Sequence, residues 1–450
     1  MNIVIVGGGT AGWLMALSII KTQGSTHNVT LIESKKIGIV GAGEGATQML
    51  HDFVSGTWFD IGIDIKEFIE YCNVTPKMGI KHVNWTGDGS SYFAPLDGSS
   101  TSGLSPDTEF CENLIVNGDK FHLASEIGRK YEAKEPINVS YHFDAFKVGE
   151  FFAKHAIKAG VKVIDAEIYG VKTDNGEIIS LLDTDNNTHE GDFFIDCSGF
   201  KRVLCGAMDI QWESYEKNLP VDSAIAFQMP LTDDYEPVTT ATAMDSGWCW
   251  KIPTTERFGC GYVYSSKFIT DAKAEEELRA KFGDVEILRK FKFTSGRSEV
   301  LWKNNCLALG LSAAFAEPLE ATSIHTTIIQ AMSFVMEHLQ ETKKETCNQY
   351  RINHYNKEMI KLYDDIRDFL VVHYTGGRDD TEFWRHVNSG DTWTKTVKYM
   401  LSISKTSVPS ALTLEHYFGC SGVMLWNWIL AGLGHIDKNK ASNSLKRFKG

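Results

Sequence analysis

The chain has 450 residues, of which 43% are hydrophobic, so it can bury a large core divided among two or three structural units. Its formal net charge of -13 argues against binding nucleic acid or an anionic membrane, because both need clustered Lys and Arg. Nine cysteines without a C-x-x-C pair indicate reduced thiols, so we expect no structural disulfide and a cytoplasmic location.

The N-terminal segment predicts a strand, a helix and a second strand. Residues 2–6 form a short apolar run, residues 13–20 have helical apolar spacing, and residues 29–33 form another strand-like run. The opening run lacks the basic start of an export signal and leads directly into glycines, so we interpret it as a strand. The three elements together predict a βαβ unit.

A glycine motif stands directly after the first predicted strand. Gly7, Gly9 and Gly12 form G-x-G-x-x-G at the start of the predicted helix, and Glu33 ends the next strand. Glycines let a backbone approach a pyrophosphate, the helix start offers N–H donors to its charge, and a carboxylate can accept hydrogen bonds from a ribose diol. The motif therefore predicts a dinucleotide site, which FAD and NAD would both fit.

Later segments favour FAD over NAD. Residues 151–158 and 161–164 repeat the alternation of helix and strand, and the strand-like run 192–195 leads into a turn. Residues 308–320 predict a further strand, turn and helix at about three-quarters of the chain length. A nucleotide site at the start and a second strand-turn-helix late in the chain suit an elongated FAD.

The remaining segments predict a sheet and a helical part. Residues 78–85 and 224–264 are rich in β-branched and aromatic residues with turn signals, which predicts an antiparallel sheet that roofs the cofactor. Residues 324–368 have helical spacing, and the tail 437–450 is polar enough to predict a frayed surface segment. The apolar run 423–433 is far short of the roughly 20 residues that span a bilayer, so we expect no membrane anchor.

A series of motifs extends from Met1 to about Trp384: GGGTAGW at 7–13, GAGEGAT at 41–47, YHFDA at 141–145, IDCSGF at 195–200, GWCWKIP at 247–253, EPLEATSIH at 317–325 and DIRDFLVVHY at 365–374. In these motifs and in their order the chain resembles the tryptophan halogenase family. GWCWKIP is similar to the W-x-W-x-I-P signature that separates these halogenases from ordinary flavin hydroxylases. The late helix follows Gly-Leu-Ser at 310–312, where those hydroxylases usually have Gly-Asp-Ala.

The resemblance implies an α/β fold with an FAD-binding Rossmann-like domain of the glutathione-reductase type, an inserted antiparallel β-sheet substrate region and a helical C-terminal part. We expect the FAD-binding module within 1–340, in three pieces of about 1–75, 135–205 and 295–340. The substrate or roof sheet then takes about 76–134 and 206–294, and the helical region 341–450 packs on the substrate side.

The resemblance also implies a specific chemistry. Reduced FAD and oxygen convert a halide ion to hypohalous acid, which travels through a tunnel to an aromatic substrate in a separate pocket. The family's lysine corresponds to Lys77, which can donate a hydrogen bond to hypohalous acid or be halogenated by it. The family's glutamate corresponds to Glu320, which can take the proton lost from the ring. By residue type alone, Lys77 could be a solvated surface lysine and Glu320 a carboxylate that complements a helix dipole, and Lys81 is the rival for the lysine role.

For the halide the resemblance implies Thr322 and the next backbone N–H, that of Ser323, although a helix N-cap pair would look the same. Ala321 departs from the serine that family members usually carry before this threonine. For FAD, the residues implied by the motif and the resemblance are Gly7, Gly9, Thr10, Ala11, Gly12, Glu33, Glu44, Ile168, Leu307, Gly310 and Ile324.

Two pairs of residues attract other interpretations. Trp248 and Trp250 alternate on a predicted strand, so both face one side, where they could wall the flavin or simply pack in the core. His142 and His325 could suggest a metal, but no third ligand has useful spacing, so we expect no metal and two satisfied structural histidines.

The substrate and partners follow from the resemblance. Relatives that act on free tryptophan tend to be longer, so we expect a free indole, a phenol or another electron-rich aromatic, or an aromatic held on a larger molecule, rather than tryptophan itself. The sequence has no second fingerprint for NAD(P)H, so we expect a separate flavin reductase to supply reduced FAD. Two alternatives stay open, an FAD-dependent aromatic monooxygenase and a non-catalytic FAD-binding protein, and retention of Lys77 and Glu320 argues against the second.

Overall fold

The structure is a computed structural model that describes residues 1–37, 45–96, 104–410 and 422–448. Its strands are β1 (Asn2–Val6), β2 (Asn28–Glu33), β3 (Thr75–Pro76), β4 (Gly79–Val83), β5 (Ser91–Pro95), β6 (Tyr141–His142), β7 (Lys162–Asp165), β8 (Ile168–Asp174), β9 (Glu177–Asp183), β10 (Thr188–Glu190), β11 (Phe193–Asp196), β12 (Trp212–Ser214), β13 (Ser223–Pro230), β14 (Thr239–Met244), β15 (Gly247–Pro253), β16 (Arg257–Tyr264), β17 (Glu286–Lys292), β18 (Gly296–Ser298), β19 (Trp302–Lys303), β20 (Cys306–Ala308) and β21 (Ala314–Phe315).

Its α-helices are α1 (Thr10–Gln23), α2 (Gln48–Val54), α3 (Ile65–Tyr71), α4 (Pro106–Asn117), α5 (Glu126–Glu132), α6 (Ala145–Lys158), α7 (Val203–Ala207), α8 (Asp271–Phe282), α9 (Thr322–Ser333), α10 (Lys343–Thr346), α11 (Gln349–Val372), α12 (Glu382–Asn388), α13 (Lys395–Ser404), α14 (Val423–Gly432) and α15 (Lys438–Phe448). A π-helical turn, Phe334–His338, directly follows α9.

The chain divides into two compact units, each assembled from three stretches of sequence. The first unit contains Met1–Val74, Phe143–Ser214 and Gly296–Tyr363, and the second contains Thr75–His142, Tyr215–Ser295 and Asp364–Gly450. Within the expected C-terminal region 341–450, residues up to Tyr363 belong to the first unit and those from Asp364 belong to the second.

The first unit is built on a six-stranded sheet with the order β19-β20-β11-β1-β2-β7. Strand β1 pairs in parallel with both β2 and β11, so the predicted βαβ unit is confirmed. The connecting helix α1 is apolar on most of its faces and is buried from Gly12 to Ile19. Helix α6 packs against α1, and Asp144 caps its start by accepting hydrogen bonds from the N–H groups of Phe146 and Lys147.

The second unit is built on a seven-stranded sheet with the order β17-β13-β16-β15-β14-β4-β5. Its neighbouring strands are antiparallel except for β14 and β4, which run parallel. The expected antiparallel sheet is therefore a mixed one. Strand β4 comes from an earlier stretch of the chain than β13–β16, so no hairpin constrains its direction.

The C-terminal tail is a packed helix, so the prediction of a frayed surface segment is wrong. Helix α15 packs against α4, and Ala441 on it is fully buried. The buried Ser444 hydroxyl oxygen accepts a 2.8 Å hydrogen bond from the backbone N–H of Val408. The tail is polar in composition, but its small residues Ala441 and Ser444 are three positions apart, so they lie on one face of α15, and both are buried.

Two further features of the described residues bear on the sequence analysis. Eight cysteines lie in this part of the chain, and all eight are free thiols. Within the same residues, no helix combines the length and the apolar composition needed to cross a membrane.

Candidate active site

The turn that joins β1 to α1 requires glycine at two positions. Gly7 has φ +118°, a conformation that other residues rarely adopt, and a Cβ atom there would overlap the carbonyl of Cys197. A Cβ atom on Gly12 would overlap the carbonyl oxygen of Gly7. These two glycines therefore make the tight turn and bring the start of α1 close to the sheet.

Gly9 has a different role, because it precedes the helix without being crowded. It is the N-cap residue of α1, its backbone is extended at φ -78°, and a Cβ atom there would meet none of the described residues within 4 Å. As a glycine, it has no side chain to cap the N–H groups of the first helical turn. Such amides at the positive end of a helix suit a pyrophosphate, so this cradle fits the expected FAD.

Glu33 ends β2 beside the same turn. A Cβ atom on Gly8 would overlap its carboxylate, and the indole of Trp13 donates a hydrogen bond to that carboxylate. Burial raises the pKa of Glu33, while the bond from Trp13 and the charge of Lys35 act in the opposite direction. A carboxylate in this position can accept hydrogen bonds from a ribose diol.

The late strand-turn segment reaches the same helix start. Gly310 follows β20 with φ +62°, and a Cβ atom on it would lie 2.6 Å from the Cβ atom of Ala11. The Ser312 hydroxyl donates a 2.9 Å hydrogen bond to Asp196 at the end of β11. The first unit thus brings the glycine turn, Ala11 and Gly310 together, as an FAD site requires.

The other expected FAD residues lie in several environments. Leu307 is fully buried on β20, Ile168 is buried at the start of β8, and Ile324 is half-buried in the first turn of α9. Thr10 is the first residue of α1. Glu44 lies outside the described residues, as do the three motif residues before it, whereas the last three residues of the motif, 45–47, are described.

Helix α9 begins at the expected halide residues. Ala321 precedes it in the left-handed region at φ 54°, which is strained for a residue with a Cβ atom, and Thr322 is the first helical residue. The Thr326 hydroxyl donates to the carbonyl oxygen of Thr322 and the Thr327 hydroxyl to that of Ser323. Thr322 is buried and Ser323 half-buried, so a hydroxyl and a backbone amide stand at the positive end of this helix.

His325, which is three residues after Thr322 on α9, is buried. Its Nδ1 atom lies 2.7 Å from the hydroxyl of Thr47, the N-cap residue of α2. Burial lowers the pKa of His325 to about 4, so the ring is neutral near pH 7. Its Nε2 atom has no hydrogen-bond partner among the described residues, which departs from the expected satisfied histidine.

In the second unit, Lys77 is fully buried. It follows β3, and its backbone N–H donates a 2.8 Å hydrogen bond to the carbonyl oxygen of Ser140. Thr75 pairs with His142 across β3 and β6, so the side chains of Thr75, Lys77, Ser140 and His142 alternate onto one face. A completely buried lysine is rare, which rules out the solvated surface alternative.

His142 is a buried histidine that interacts electrostatically with Lys77, a link that its position in the sequence did not reveal. Burial lowers the pKa of His142 well below its usual range, and the positive charge of Lys77 lowers it further. The His142 Nε2 atom lies 2.9 Å from the Thr239 hydroxyl, while Nδ1 has no partner among the described residues. The YHFDA motif contained this histidine, but nothing in its spacing pointed to the lysine.

Lys81 has a very different environment from Lys77. It lies on β4, and its ammonium group forms a 2.8 Å ion pair with the half-exposed Glu236. The Tyr131 hydroxyl donates to the other oxygen of that carboxylate. Lys81 is thus a partly exposed ion-pair residue, which makes it the weaker candidate for chemistry.

Trp248 and Trp250 lie on β15, both are buried, and their ring centroids are 6.1 Å apart. The prediction that they share one face of the strand is confirmed. Their place in the central part of the seven-stranded sheet agrees with a packing role.

Comparison with known proteins gives a consistent result over the whole chain. The family model described as tryptophan halogenase matches residues 2–444. The tryptophan 7-halogenase RebH of Lentzea aerocolonigenes is 34% identical over 85% of this chain and 78% of its own. The 7-chloro-L-tryptophan 6-halogenase KtzR of Kutzneria sp. (strain 744) is 31% identical over 96% of this chain and 90% of its own.

A solved structure agrees with these relatives. Tar14, a tryptophan C-6 flavin-dependent halogenase (chlorinase) from taromycin biosynthesis, superimposes with a TM-score of 0.87 at 30% identity. The superposition covers 100% of this chain and 93% of that one. The α/β fold class inferred from the sequence is confirmed.

Proposed function

Because this chain belongs to the tryptophan halogenase family of FAD-dependent enzymes, we propose that it uses reduced FAD, oxygen and a halide ion to halogenate an electron-rich aromatic compound. The observation that carries the proposal is the complete burial of Lys77, at the position where the resemblance requires a reactive lysine. Burying an ammonium group is costly, so a protein keeps one inside when its chemistry needs it.

In this proposal the first unit holds the cofactor and the halide. When bound, reduced FAD supplies the electrons with which oxygen oxidises the halide to hypohalous acid. The amides that follow Gly9 hold the pyrophosphate, and Glu33 accepts hydrogen bonds from the ribose. The Thr322 hydroxyl and the Ser323 N–H bind the halide, because both donate at the positive end of α9.

Lys77 and Glu320 then direct the halogen transfer. The Lys77 ammonium group donates a hydrogen bond to hypohalous acid, or is itself halogenated, and in either case makes the halogen more electrophilic. The aromatic ring takes the halogen and loses a proton, and the oxygen of hypohalous acid leaves as water. Glu320, which is half-buried, accepts the ring proton.

We propose an indole- or phenol-like compound as the substrate and a separate flavin reductase as the source of reduced FAD. The names of the relatives specify tryptophan, which is an indole. The chain contains a single G-x-G-x-x-G motif in the context of a strand and a helix, and the proposal assigns it to FAD. The free thiols of the described cysteines agree with a reducing compartment such as the cytoplasm.

The experiment combines the protein with a flavin reductase, FAD, NADH and a mixture of indoles and phenols that includes tryptophan. Chloride, bromide and iodide are supplied in turn, and mass spectrometry identifies the products. The proposal predicts products that carry the halogen supplied and that do not form without halide. Hydroxylated products in halide-free buffer would instead establish a monooxygenase, and FAD binding without any product a non-catalytic role.

A further inference from the structure

The buried ring of His325 lies next to the residues proposed to bind the halide. His325 is three residues after Thr322 on α9, and residues with this spacing are neighbours on one helix face. Side chains on a helix lean toward its N-terminus, so the ring covers the first turn, where the Ser323 amide is located.

Among the described residues, one nitrogen of this ring has a hydrogen-bond partner and the other has none. Nδ1 is within 2.7 Å of the Thr47 hydroxyl, whereas Nε2 has no partner in residues 1–37, 45–96, 104–410 and 422–448. The residue is 4% exposed, so bulk solvent does not reach this ring. Buried polar atoms are nearly always paired, which makes this nitrogen a candidate for binding a ligand.

The bond to Thr47 determines what kind of ligand fits. The Thr47 oxygen accepts a hydrogen bond from the N–H of Met49 at 3.3 Å, and its own proton is available for the short bond with Nδ1, the arrangement on which the following inference is based. The ring proton of the neutral histidine is then on Nε2, which becomes a donor. A donor at the positive end of a helix suits an anion and repels a cation.

We propose that the Nε2–H group of His325 is a further donor to the halide ion, and that Thr47 fixes the tautomer that makes it one. This inference rests on the proposed function, since it assumes that α9 binds the halide. His325 is then a binding residue for halide, and Thr47 is a positioning residue that acts through it.

The test compares His325→Phe and His325→Gln with the control His338→Phe. Phenylalanine keeps a ring without a donor, and glutamine restores an N–H group near the same position. His338 is also buried, burial lowers its pKa to about 4 as well, and it lies in the π-helical turn after α9. Bromide is titrated into the FAD-loaded protein without reductant or substrate and followed by flavin absorbance, and the KM for bromide is measured in turnover.

We expect His325→Phe to weaken bromide binding and raise its KM about tenfold or more, as expected for a lost hydrogen bond to an ion. His325→Gln should recover part of this loss, and His338→Phe should resemble the wild type. FAD affinity should be unchanged in all three variants. Unchanged bromide affinity in His325→Phe overturns the inference, and so does a loss confined to FAD affinity, which would show that the ring contacts the flavin.

A second pair keeps the inference testable if the ring substitutions do not fold. Thr47→Val removes the hydroxyl that fixes the tautomer, whereas Thr47→Ser keeps it, so the valine variant alone should bind bromide more weakly. Equal affinities in these two variants overturn the inference. If the wild type neither binds bromide nor incorporates it, the proposed function itself fails, and the two failures are thereby distinguished.

Discussion

Lys77 and Lys81 are four residues apart, yet the fold gives them opposite environments. Lys77 is fully buried, and Lys81 forms an ion pair with Glu236 near the surface. Residue type and spacing could not separate them, because burial depends on which strands pack over each side chain. The resemblance selected Lys77, and its burial provides a physical reason for that choice.

Glu320→Gln is predicted to slow halogenation by roughly 100-fold, the lower end of what a positioned proton acceptor contributes, because the amide keeps a polar group in place but cannot accept the ring proton. The rate should not fall further, since water can take up part of this proton. The effect is measured as the single-turnover rate of product formation, with reduced FAD, oxygen and bromide supplied in excess so that hypobromite formation does not limit the rate. A wild-type rate in this variant would contradict the proton-acceptor role.

The pairing of Thr47 with His325 could not be predicted from the sequence. The two residues are 278 positions apart, and their contact exists only because α2 packs on α9. From the sequence, His325 is interpreted as a structural residue whose ring nitrogens have hydrogen-bond partners. One of its two ring nitrogens does have such a partner, the Thr47 hydroxyl. Whether one or both ring nitrogens have a hydrogen-bond partner depends on how the chain packs, and no periodic pattern in the sequence indicates it.

At the scale of elements, Gly9→Val is predicted to abolish FAD binding while leaving the fold intact. Valine tolerates the extended backbone of this residue, and its Cβ atom would meet no described residue within 4 Å. The side chain would instead obstruct the approach of a pyrophosphate to the start of α1. FAD titration and the Tm of the FAD-free protein measure the two effects.

Gly12→Val is the matched comparison, because its Cβ atom would overlap the carbonyl oxygen of Gly7. This variant should lower the Tm of the FAD-free protein as well as FAD affinity. If Gly9→Val instead binds FAD like the wild type, the glycine turn is not the FAD site.

Thr322→Val is predicted to raise the KM for halide about tenfold while leaving the KM for the aromatic substrate nearly unchanged. The substitution removes one donor at the start of α9 but keeps the shape of the side chain and the backbone bond from Thr326. Steady-state kinetics with bromide and with the aromatic substrate varied separately distinguish the two constants. Equal losses in both would indicate a general packing role.

The burial of helix α15 could not be predicted from the sequence, whereas other elements could. The βαβ unit was predictable because local apolar spacing and a local glycine motif specify it. Burial of α15 comes from its contact with α4, which is more than 300 residues earlier in a chain of 450, and its polar composition gave no sign of this. The parallel pairing of β4 with β14 was missed for the same reason, because it joins distant stretches.

Ser444→Ala is predicted to reduce stability by about 1–3 kcal/mol, because the buried N–H of Val408 would lose its acceptor. Ser442→Ala, at a half-buried position of the same helix where the hydroxyl donates to the carbonyl oxygen of Lys438, should change stability little, because that carbonyl is not left buried without a partner. Urea unfolding of both variants provides the comparison. Equal stability of the two would mean that α15 is not held in place as the structure shows.

At the scale of the whole molecule, the proposed reaction needs residues of both units. The first unit contains Glu320 together with the residues proposed for FAD and halide, and the second contains Lys77. In the proposed function, the FAD and halide residues form hypohalous acid, and Lys77 and Glu320 act only in the later halogen transfer. A variant that cannot transfer the halogen to the substrate should therefore still form hypohalous acid.

The most direct test of this separation is Lys77→Ala, with Lys81→Ala as the matched control. Halogenated product, hydrogen peroxide and free hypobromite are measured together in one reaction with reductase, FAD, NADH, bromide and substrate. Lys77→Ala should lose halogenation by about 100- to 1000-fold, as expected when a positioned electrostatic group is removed, while oxygen consumption and leaked oxidant persist. Lys81→Ala should resemble the wild type. A wild-type yield of halogenated product from Lys77→Ala would contradict the account.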